Sequence, residues 1–216
     1  MNNEQCLSLE NNNLQHFALI LAAGRSTRMG TCKAGLPWRN NQTLLRYQAE
    51  QFLQANIIPI VVLGSHNAEW RSLCPLGSLV IINFQSDRGK TSSILTGLNS
   101  LPPQFSTITI SAVDQPRSSH VYQTLLQSYH HEPALITAPC YQNKLGHPLL
   151  FSVRLLPVIK NISDSSLGLR KVVRDYNHDL KKISLDSEVL IDINHRHTYQ
   201  TEFKKISKNT SSQNNP

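Results

Sequence analysis

The chain has 216 residues, of which 39% are hydrophobic and 16% are charged. The hydrophobic fraction is enough to form a core, and the composition is not that of a disordered chain. The formal net charge is +7 at pH 7, from 21 basic and 14 acidic side chains, and it favours an anionic ligand. No apolar run approaches the roughly 18 residues that a membrane helix needs, so neither a membrane span nor a membrane partner is expected.

Nucleic-acid binding and secretion are also disfavoured. The basic residues form neither a compact run nor a stripe interleaved with aromatics, so small phosphorylated substrates are favoured over the nucleic acid that charge alone would allow. Residues 1–16 are rich in Asn and Gln and lack the basic start and apolar run of a secretory signal. We therefore expect a disordered N-terminal extension over 1–16 and a cytoplasmic protein.

In the first two thirds of the chain, short apolar runs alternate with amphipathic segments. The runs predict strands at Phe17–Ala22, Ile57–Leu63, Leu79–Phe84, Thr107–Val113 and Ala134–Ala138. The amphipathic segments predict helices at Asn41–Ala55, Thr91–Ser100 and Ser118–His130. This alternation is typical of parallel strands with helices on both faces of the sheet.

The later part of the chain is less regular. It predicts a strand at Lys144–Phe151, helices at Val153–Asn161, Leu167–Tyr176 and His195–Phe203, and one or two short strands in Leu185–Ile193. A polar tail over 204–216 is expected to be disordered. With no repeat and no long linker, we predict an α/β fold, a Rossmann-like three-layer sandwich with a mostly parallel sheet, over residues 17–203.

The loop after the first predicted strand carries the main functional signal. Small residues end the apolar run, and cations follow within nine positions. At the carboxyl end of a first strand, such a loop offers backbone N–H groups and fixed positive charge to a polyphosphate. The alternative is an ordinary basic loop before a helix. The predicted nucleotide-binding residues here are Leu21, Ala22, Ala23, Gly24, Arg28 and Lys33.

A carboxylate follows the fourth predicted strand. Asp114 stands at the end of an apolar run and is followed closely by Pro116, which places an acid at the mouth of the sheet. Such a group suits Mg²⁺, a hard cation that takes oxygen ligands. Capping of the next helix is disfavoured, because Asp114 lies four residues before the helix start near Ser118.

These motifs resemble one family. The pattern L-A-A-G-x-S-x-R-M-G-x-x-K over 21–33 is similar to that of nucleotidyltransferases that activate a phosphorylated partner with a nucleoside triphosphate. It most resembles the molybdenum-cofactor cytidylyltransferase group, the MobA-like NTP transferases. Leu36-Pro37-Trp38 and Asp114-Gln115-Pro116 continue the resemblance, which covers roughly Phe17 to Phe203.

The resemblance implies a nucleotide-diphospho-sugar transferase type of fold, with a substrate lobe mainly over 140–185. The implied reaction transfers CMP from CTP to a molybdopterin-type cofactor and releases pyrophosphate, with Mg²⁺ as cofactor and a molybdoenzyme as a further partner. The implied catalytic residues are Arg28, Lys33 and Asp114. The implied metal ligands are Asp114 and Asp192.

Two further segments gain roles from the resemblance. A Gly-x-x-Ser-Ser run at 89–93 implies nucleotide contact by Asn83, Ser92 and Ser93. The alternative is that the serines cap a helix, and both roles can hold together. Gly-His-Pro at 146–148 implies that Gly146 and His147 lie near the acceptor, or that the histidine is simply held in a turn. For Asp192, the alternative to a metal ligand is a surface turn.

Three alternatives to cytidylyl transfer stay open. The first is GMP transfer, and the second is transfer to another phosphorylated acceptor, such as a sugar phosphate. The third is a non-catalytic carrier of the molybdenum cofactor. The small pair Ala34-Gly35 and the segment after Asn194, which departs from the family pattern, favour the carrier.

Overall fold

The computed structural model describes residues 14–212, and its sheet extends on both sides of the first apolar run. β1 (His16–Leu21) pairs in parallel with β2 (Ile58–Gly64) and with β4 (Thr107–Ala112), and β2 pairs in parallel with β3 (Leu79–Asn83). β1 is covered on both faces, which explains why its sequence is continuously apolar rather than alternating. The predicted parallel arrangement of these four strands is confirmed.

The other half of the sheet contains the antiparallel pairs. β5 (Ile136–Tyr141) pairs antiparallel with β6 (Lys144–Leu145) and with β7 (Leu149–Ser152), and β7 pairs antiparallel with β4. β8 (Leu180–Ser184) adds to β5 in parallel. Within residues 14–212 the eight strands form one sheet in the order β3-β2-β1-β4-β7-β5-β6, with β8 beside β5.

Helices cover both faces of this sheet, as predicted. α1 (Leu44–Gln54) and α3 (Ser119–His131) pack on one face, whereas α2 (Lys90–Leu98), α4 (Leu156–Ile159) and α5 (Leu169–Asp175) pack on the other. The side chains of β1 alternate between the two cores with the period of a strand. Those in the first core are Ala18 and Ile20, and those in the second are Phe17, Leu19 and Leu21.

Two strand predictions in the later part of the chain need correction. The predicted strand Lys144–Phe151 is interrupted at residues 146–148 and forms β6 and β7. The strands predicted in Leu185–Ile193 are wrong, because this segment holds a 3₁₀ turn (Ser187–Leu190) and β8 lies just before it. Adjacent lysines interrupt the apolar pattern of β8, and pairing with β5 makes it a strand despite that pattern.

The last helix extends past the predicted end of the domain. α6 (Arg196–Ser212) continues beyond residue 203, so residues 204–212 are helical rather than disordered. His16, assigned to the disordered extension, instead begins β1. Residues 1–13 and 213–216, the other parts of the predicted disordered ends, lie outside the described residues. In the stretch from 14 to 212, no helix is long and apolar enough to cross a membrane.

Candidate active site

The carboxyl ends of β1 and β4 open into a cavity of about 1040 Å³. The chain runs from β1 outward to β2 on one side, and β4 lies on the other side of β1. In sheets of this kind, ligands bind outside the carboxyl ends of the strands where the strand order reverses. The cavity therefore lies where an α/β protein of this topology binds its ligand.

One side of the cavity is formed by residues 23–33, here called the first-loop wall. Leu21, Ala23 and Gly24 line the cavity, and a Cβ at Gly24 would meet no atom within 4 Å. Arg28 also lines the cavity, and it is exposed and forms no ion pair within residues 14–212. Small residues and an accessible guanidinium therefore face the same space.

Ala22 is held by two hydrogen bonds of its main chain. Its N–H donates to the Val62 carbonyl at 2.9 Å, and its carbonyl accepts from the Asn67 amide at 2.9 Å. The residue is buried between β1 and the turn after β2 and does not line the cavity. These bonds anchor the loop, and nucleotide contact by Ala22 stays a prediction.

Lys33 connects the first-loop wall to the fourth strand. Its Nζ donates to Asp114 Oδ2 at 2.6 Å and to Asn194 Oδ1 at 3.1 Å. The two ionised side chains are only 12% and 18% exposed, and the Lys33 N–H donates to Ser26 Oγ at 3.2 Å. The ion pair is therefore held in place before any ligand arrives.

Asp192 lies beside Asp114, because the Ile193 N–H donates to the Asp114 carbonyl at 2.8 Å. Gln115 holds the second acid: its Nε2 donates to Asp192 Oδ1 at 2.9 Å, and its Oε1 accepts from the Ala112 N–H at 3.1 Å. The structure thus brings the two predicted metal ligands together at one edge of the sheet. Sequence reasoning assigned no role to Gln115.

The oxygen donors at this edge suit Mg²⁺. Asp114 and Asp192 supply carboxylates, and Asn194 adds an amide oxygen. No cluster of three or more His, Cys, Asp or Glu with metal-binding geometry occurs between residues 14 and 212. Mg²⁺ commonly binds through one or two carboxylates plus substrate phosphates and water, and this donor set fits that mode.

The start of α2 contributes differently from the prediction. Ser93 lines the cavity, but Asn83 and Ser92 do not. The Asn83 amide donates to Ser92 Oγ at 3.0 Å and to Ser93 Oγ at 3.1 Å. These contacts join the end of β3 to the first turn of α2. The N-cap is Gly89, so neither serine caps the helix, and nucleotide contact by Asn83 and Ser92 stays a prediction.

Lys90 is the cation that sequence reasoning missed in this segment. It begins α2, lines the cavity and directly follows Gly89, whose φ of 102° lies in the region that favours glycine. Burial lowers the pKa of Lys90, while the carboxylates of Asp114 and Asp192 act in the opposite direction. Its position directly after the turn glycine of a glycine–serine loop was the available signal.

The predicted acceptor residues line the cavity on the side of β6. A Cβ at Gly146 would lie 2.6 Å from the Val189 carbonyl oxygen, so only glycine allows this close approach. The His147 N–H donates to the same carbonyl at 3.0 Å. Burial lowers the pKa of His147, and Lys90 and Arg117 act in the same direction, while the carboxylates of Asp192 and Asp114 act in the opposite direction.

A buried arginine holds this part of the site. Arg117 is 1% exposed, and its guanidinium donates to the carbonyls of Pro116, His147 and Val189 at 2.9, 3.1 and 2.9 Å. Three separate segments are thereby fixed around one side chain. Sequence reasoning did not identify Arg117, although it directly follows the Asp-Gln-Pro motif.

The remaining side of the cavity is the α5 wall, formed by five residues of α5 and the turn after it. Successive pairs of these residues are separated by one helical turn, so all five lie on one face. They are Leu169, Arg170, Val173, Arg174 and Asn177. A helix was predicted here, but these residues were not assigned to the site.

Residues 18–181 match the family model of the MobA-like NTP transferase domain. The chain belongs to this family. This MobA-like NTP transferase is therefore a nucleotidyltransferase, and a nucleoside triphosphate is its substrate. No curated protein matches the chain significantly.

Solved structures show the same fold. Rv0371c from Mycobacterium tuberculosis H37Rv is 25% identical with a TM-score of 0.76, covering 88% of this chain and 98% of its own. Its complex with manganese is 22% identical with a TM-score of 0.72 and the same coverage. A CMP:2-keto-3-deoxy-manno-octonic acid synthetase with bound CTP is 11% identical with a TM-score of 0.73, covering 90% of this chain and 99% of its own.

Proposed function

We propose that this MobA-like NTP transferase transfers CMP from CTP to a molybdopterin-type phosphorylated acceptor and releases pyrophosphate. The observation that carries the proposal is the convergence of Lys33, Asp114 and Asp192 at the carboxyl ends of the strands, beside an open glycine loop. The product would then pass to a molybdoenzyme. The motif resemblance and the CTP-bound structural neighbour support CTP as the donor.

In this reaction the protein positions the substrates and supplies charge, and it forms no covalent bond with them. A phosphate oxygen of the acceptor attacks the α-phosphorus of CTP, and the bond from that phosphorus to the oxygen of the leaving pyrophosphate breaks. The acceptor phosphate is already ionised near pH 7, so no protein base is needed. No protein nucleophile is needed either, since catalysis of this kind comes from orientation and electrostatic stabilisation.

The residues of the first-loop wall stabilise the charge that develops on the leaving group. Arg28 and Lys33 would hold the β- and γ-phosphates, and Lys33 would turn from Asp114 toward the triphosphate as the ligand enters. Asp114 and Asp192 would hold Mg²⁺, which when bound supplies positive charge to the reacting phosphates. The manganese complex of Rv0371c supports a divalent ion in a fold of this type.

Two features that favoured a non-catalytic carrier have structural explanations. A Cβ at Gly35 would lie 2.5 Å from the Trp70 ring, and Ala34 is buried, so packing requires the small pair. The segment after Asn194 begins α6, whose Tyr199 hydroxyl donates to the Pro37 carbonyl at 2.8 Å. Asn194 itself still contacts Lys33, which supports an enzyme over a carrier.

Pyrophosphate release tests the proposal directly. The purified chain is incubated with Mg²⁺, molybdopterin and each of the four nucleoside triphosphates in turn. We expect release with CTP and at least tenfold less with the other three. Release with GTP alone would contradict the cytidylyl assignment, and tight molybdopterin binding without turnover of any triphosphate would favour the carrier.

A further inference from the structure

The α5 wall presents a surface of mixed chemistry to the cavity. Arg170 and Arg174 lie one helical turn apart, and Leu169 and Val173 lie one turn apart beside them. Two guanidinium groups therefore adjoin two aliphatic side chains on one face. The triphosphate chain of CTP has no apolar part for such a face to bind, whereas a phosphorylated cofactor combines a phosphate with an apolar body.

Each wall has one lining cation without an ion pair within residues 14–212, Arg28 on the first-loop wall and Arg170 on this one, and the walls differ in how exposed the paired cation is. Lys33 is bonded to Asp114, but Arg170 forms no ion pair within the described part of the chain. Arg174 contacts the exposed Asp175, its neighbour in sequence, at 3.2 Å, a carboxylate that it shares with a lysine. Lys90 lies close enough for the charge of Arg170 to lower its pKa.

A turn between α4 and α5 fixes this wall against α2. Asp164 accepts a hydrogen bond from the Thr91 hydroxyl and lies directly against Gly89. At the other end of the turn, Gly168 has a φ of 54°, and a Cβ there would lie 3.2 Å from the Thr91 hydroxyl oxygen. The start of α5 is therefore seated on the start of α2, which places Arg170 near Lys90.

We propose that the α5 wall and Lys90 form the subsite for the phosphate monoester of the acceptor. Arg170 and Arg174 bind the phosphate, and Leu169 and Val173 contact the apolar or aromatic body that carries it. Arginine suits this role because its planar fork binds phosphate oxygens in pairs. The assignment rests on the proposed nucleotidyl transfer, and it names the substrate class as a phosphate monoester on an apolar group.

Phenyl phosphate is the probe, because it combines a phosphate monoester with an apolar ring. Its dissociation constant is measured by calorimetry for the full chain, alongside those of inorganic phosphate and of CTP with Mg²⁺. We expect phenyl phosphate to bind several-fold more tightly than inorganic phosphate. We expect the double variant Arg170→Gln/Arg174→Gln to raise the dissociation constant of phenyl phosphate by roughly 30-fold or more. The dissociation constant of CTP should rise by less than threefold.

Lys171→Gln is the matched control, because Lys171 lies on the same helix, pairs with Asp175 and does not line the cavity. This variant removes one positive charge from the same helix, as each single arginine substitution would, and should change phenyl phosphate binding by less than twofold. Arg170→Lys keeps the charge but loses the paired geometry, so it should weaken binding by an intermediate factor. Circular dichroism verifies that each variant is folded.

Three results would overturn the assignment. If the double variant lost equal affinity for CTP and for phenyl phosphate, the arginines would bind the triphosphate instead. Unchanged phenyl phosphate binding in the double variant would remove the subsite, and an equal loss in Lys171→Gln would reduce it to general charge attraction. A chain that binds phenyl phosphate as expected but releases no pyrophosphate would contradict the transfer reaction and still support the anion subsite.

Discussion

The two cationic sides of the cavity differ in how their charge is held. On the first-loop wall, Lys33 is mostly buried and bonded to Asp114 and Asn194. On the α5 wall, Arg170 forms no ion pair within residues 14–212. The buried ion pair holds Lys33 close to the acids that would bind the metal, with the exposed Arg28 on the same wall. The exposed arginines of the α5 wall are available to recognise an incoming anion. We therefore assign stabilisation of the reacting triphosphate to the first-loop wall and binding of the acceptor to the α5 wall.

The largest effect is expected at Asp114. Asp114→Asn keeps the shape of the side chain but removes the carboxylate that pairs with Lys33 and would hold Mg²⁺. We expect turnover with CTP to fall by about 1000-fold, because preorganised electrostatic groups contribute effects of this size. Pyrophosphate release measures the loss, and Asp186→Asn, at an exposed position outside the cavity, is the control. Retained activity would remove Asp114 from the metal role.

Substitution of Lys33 should distinguish the roles of the two walls most clearly. Lys33→Gln should lower kcat by about 100-fold, because the cation that stabilises pyrophosphate as it leaves is lost. Phenyl phosphate binding should change by less than twofold, since this probe is assigned to the α5 wall. Steady-state kinetics and calorimetry on the same preparation measure both values. A variant with normal kcat and weakened phenyl phosphate binding would reverse the assignment of the walls.

A smaller effect is expected from the turn that seats α5. Asp164→Ala removes the contact with the Thr91 hydroxyl but leaves both arginines in place. We expect phenyl phosphate binding to weaken by about fivefold, roughly 1 kcal/mol, while CTP binding is unchanged. Ser165→Ala in the same turn is the control, because within residues 14–212 the Ser165 hydroxyl bonds only to that of Ser163. Equal losses for the two ligands would show that the turn supports the whole cavity.

A last effect concerns the pH dependence of folding stability, at a site away from the cavity. His16 lies at the far end of β1, where its ring meets His130 and its Nδ1 lies 2.8 Å from Thr107 Oγ1. Burial, with a contribution from His130, lowers the pKa of His16 from 6.5 to about 4. Between these two values the unfolded chain binds a proton that the native chain does not, so stability falls as the pH drops.

We expect His16 to account for about 2 kcal/mol of the stability lost between pH 7 and pH 4.5, a value reduced for its partial exposure. Urea unfolding at the two pH values measures this loss in the wild type and in His16→Gln, where it should be smaller. His120→Gln, at an exposed position, is the control. Identical pH dependence in the wild type and His16→Gln would contradict the assignment.

The first-loop wall could be predicted from sequence because its parts are adjacent in the chain. An apolar strand, a glycine loop and cations follow one another over residues 17–33, and Asp114 similarly follows its own strand. The carboxyl ends of parallel strands meet at one edge of a sheet, so the two motifs were also expected to lie close together. The alternating pattern of strands and helices was sufficient for the parallel half of the fold for the same reason.

The α5 wall could not be predicted in this way, because distant residues bring it to the site. Its position depends on the contact of Asp164 with Thr91, 73 positions away in sequence. The hydrogen bonds of Asn83 were missed for a related reason, since the motif did not reveal that its amide bonds to Ser92 and Ser93. Such contacts follow from tertiary packing, which overrides what a local pattern indicates.

A crystal structure with CTP and Mg²⁺ tests the central claim most directly. We expect the triphosphate against the first-loop wall, with Lys33 turned toward it, the metal on Asp114 and Asp192, and the α5 wall left open. A triphosphate bound to Arg170 and Arg174, with the bond between Lys33 and Asp114 intact and no metal at the two acids, would contradict the assignment of both walls.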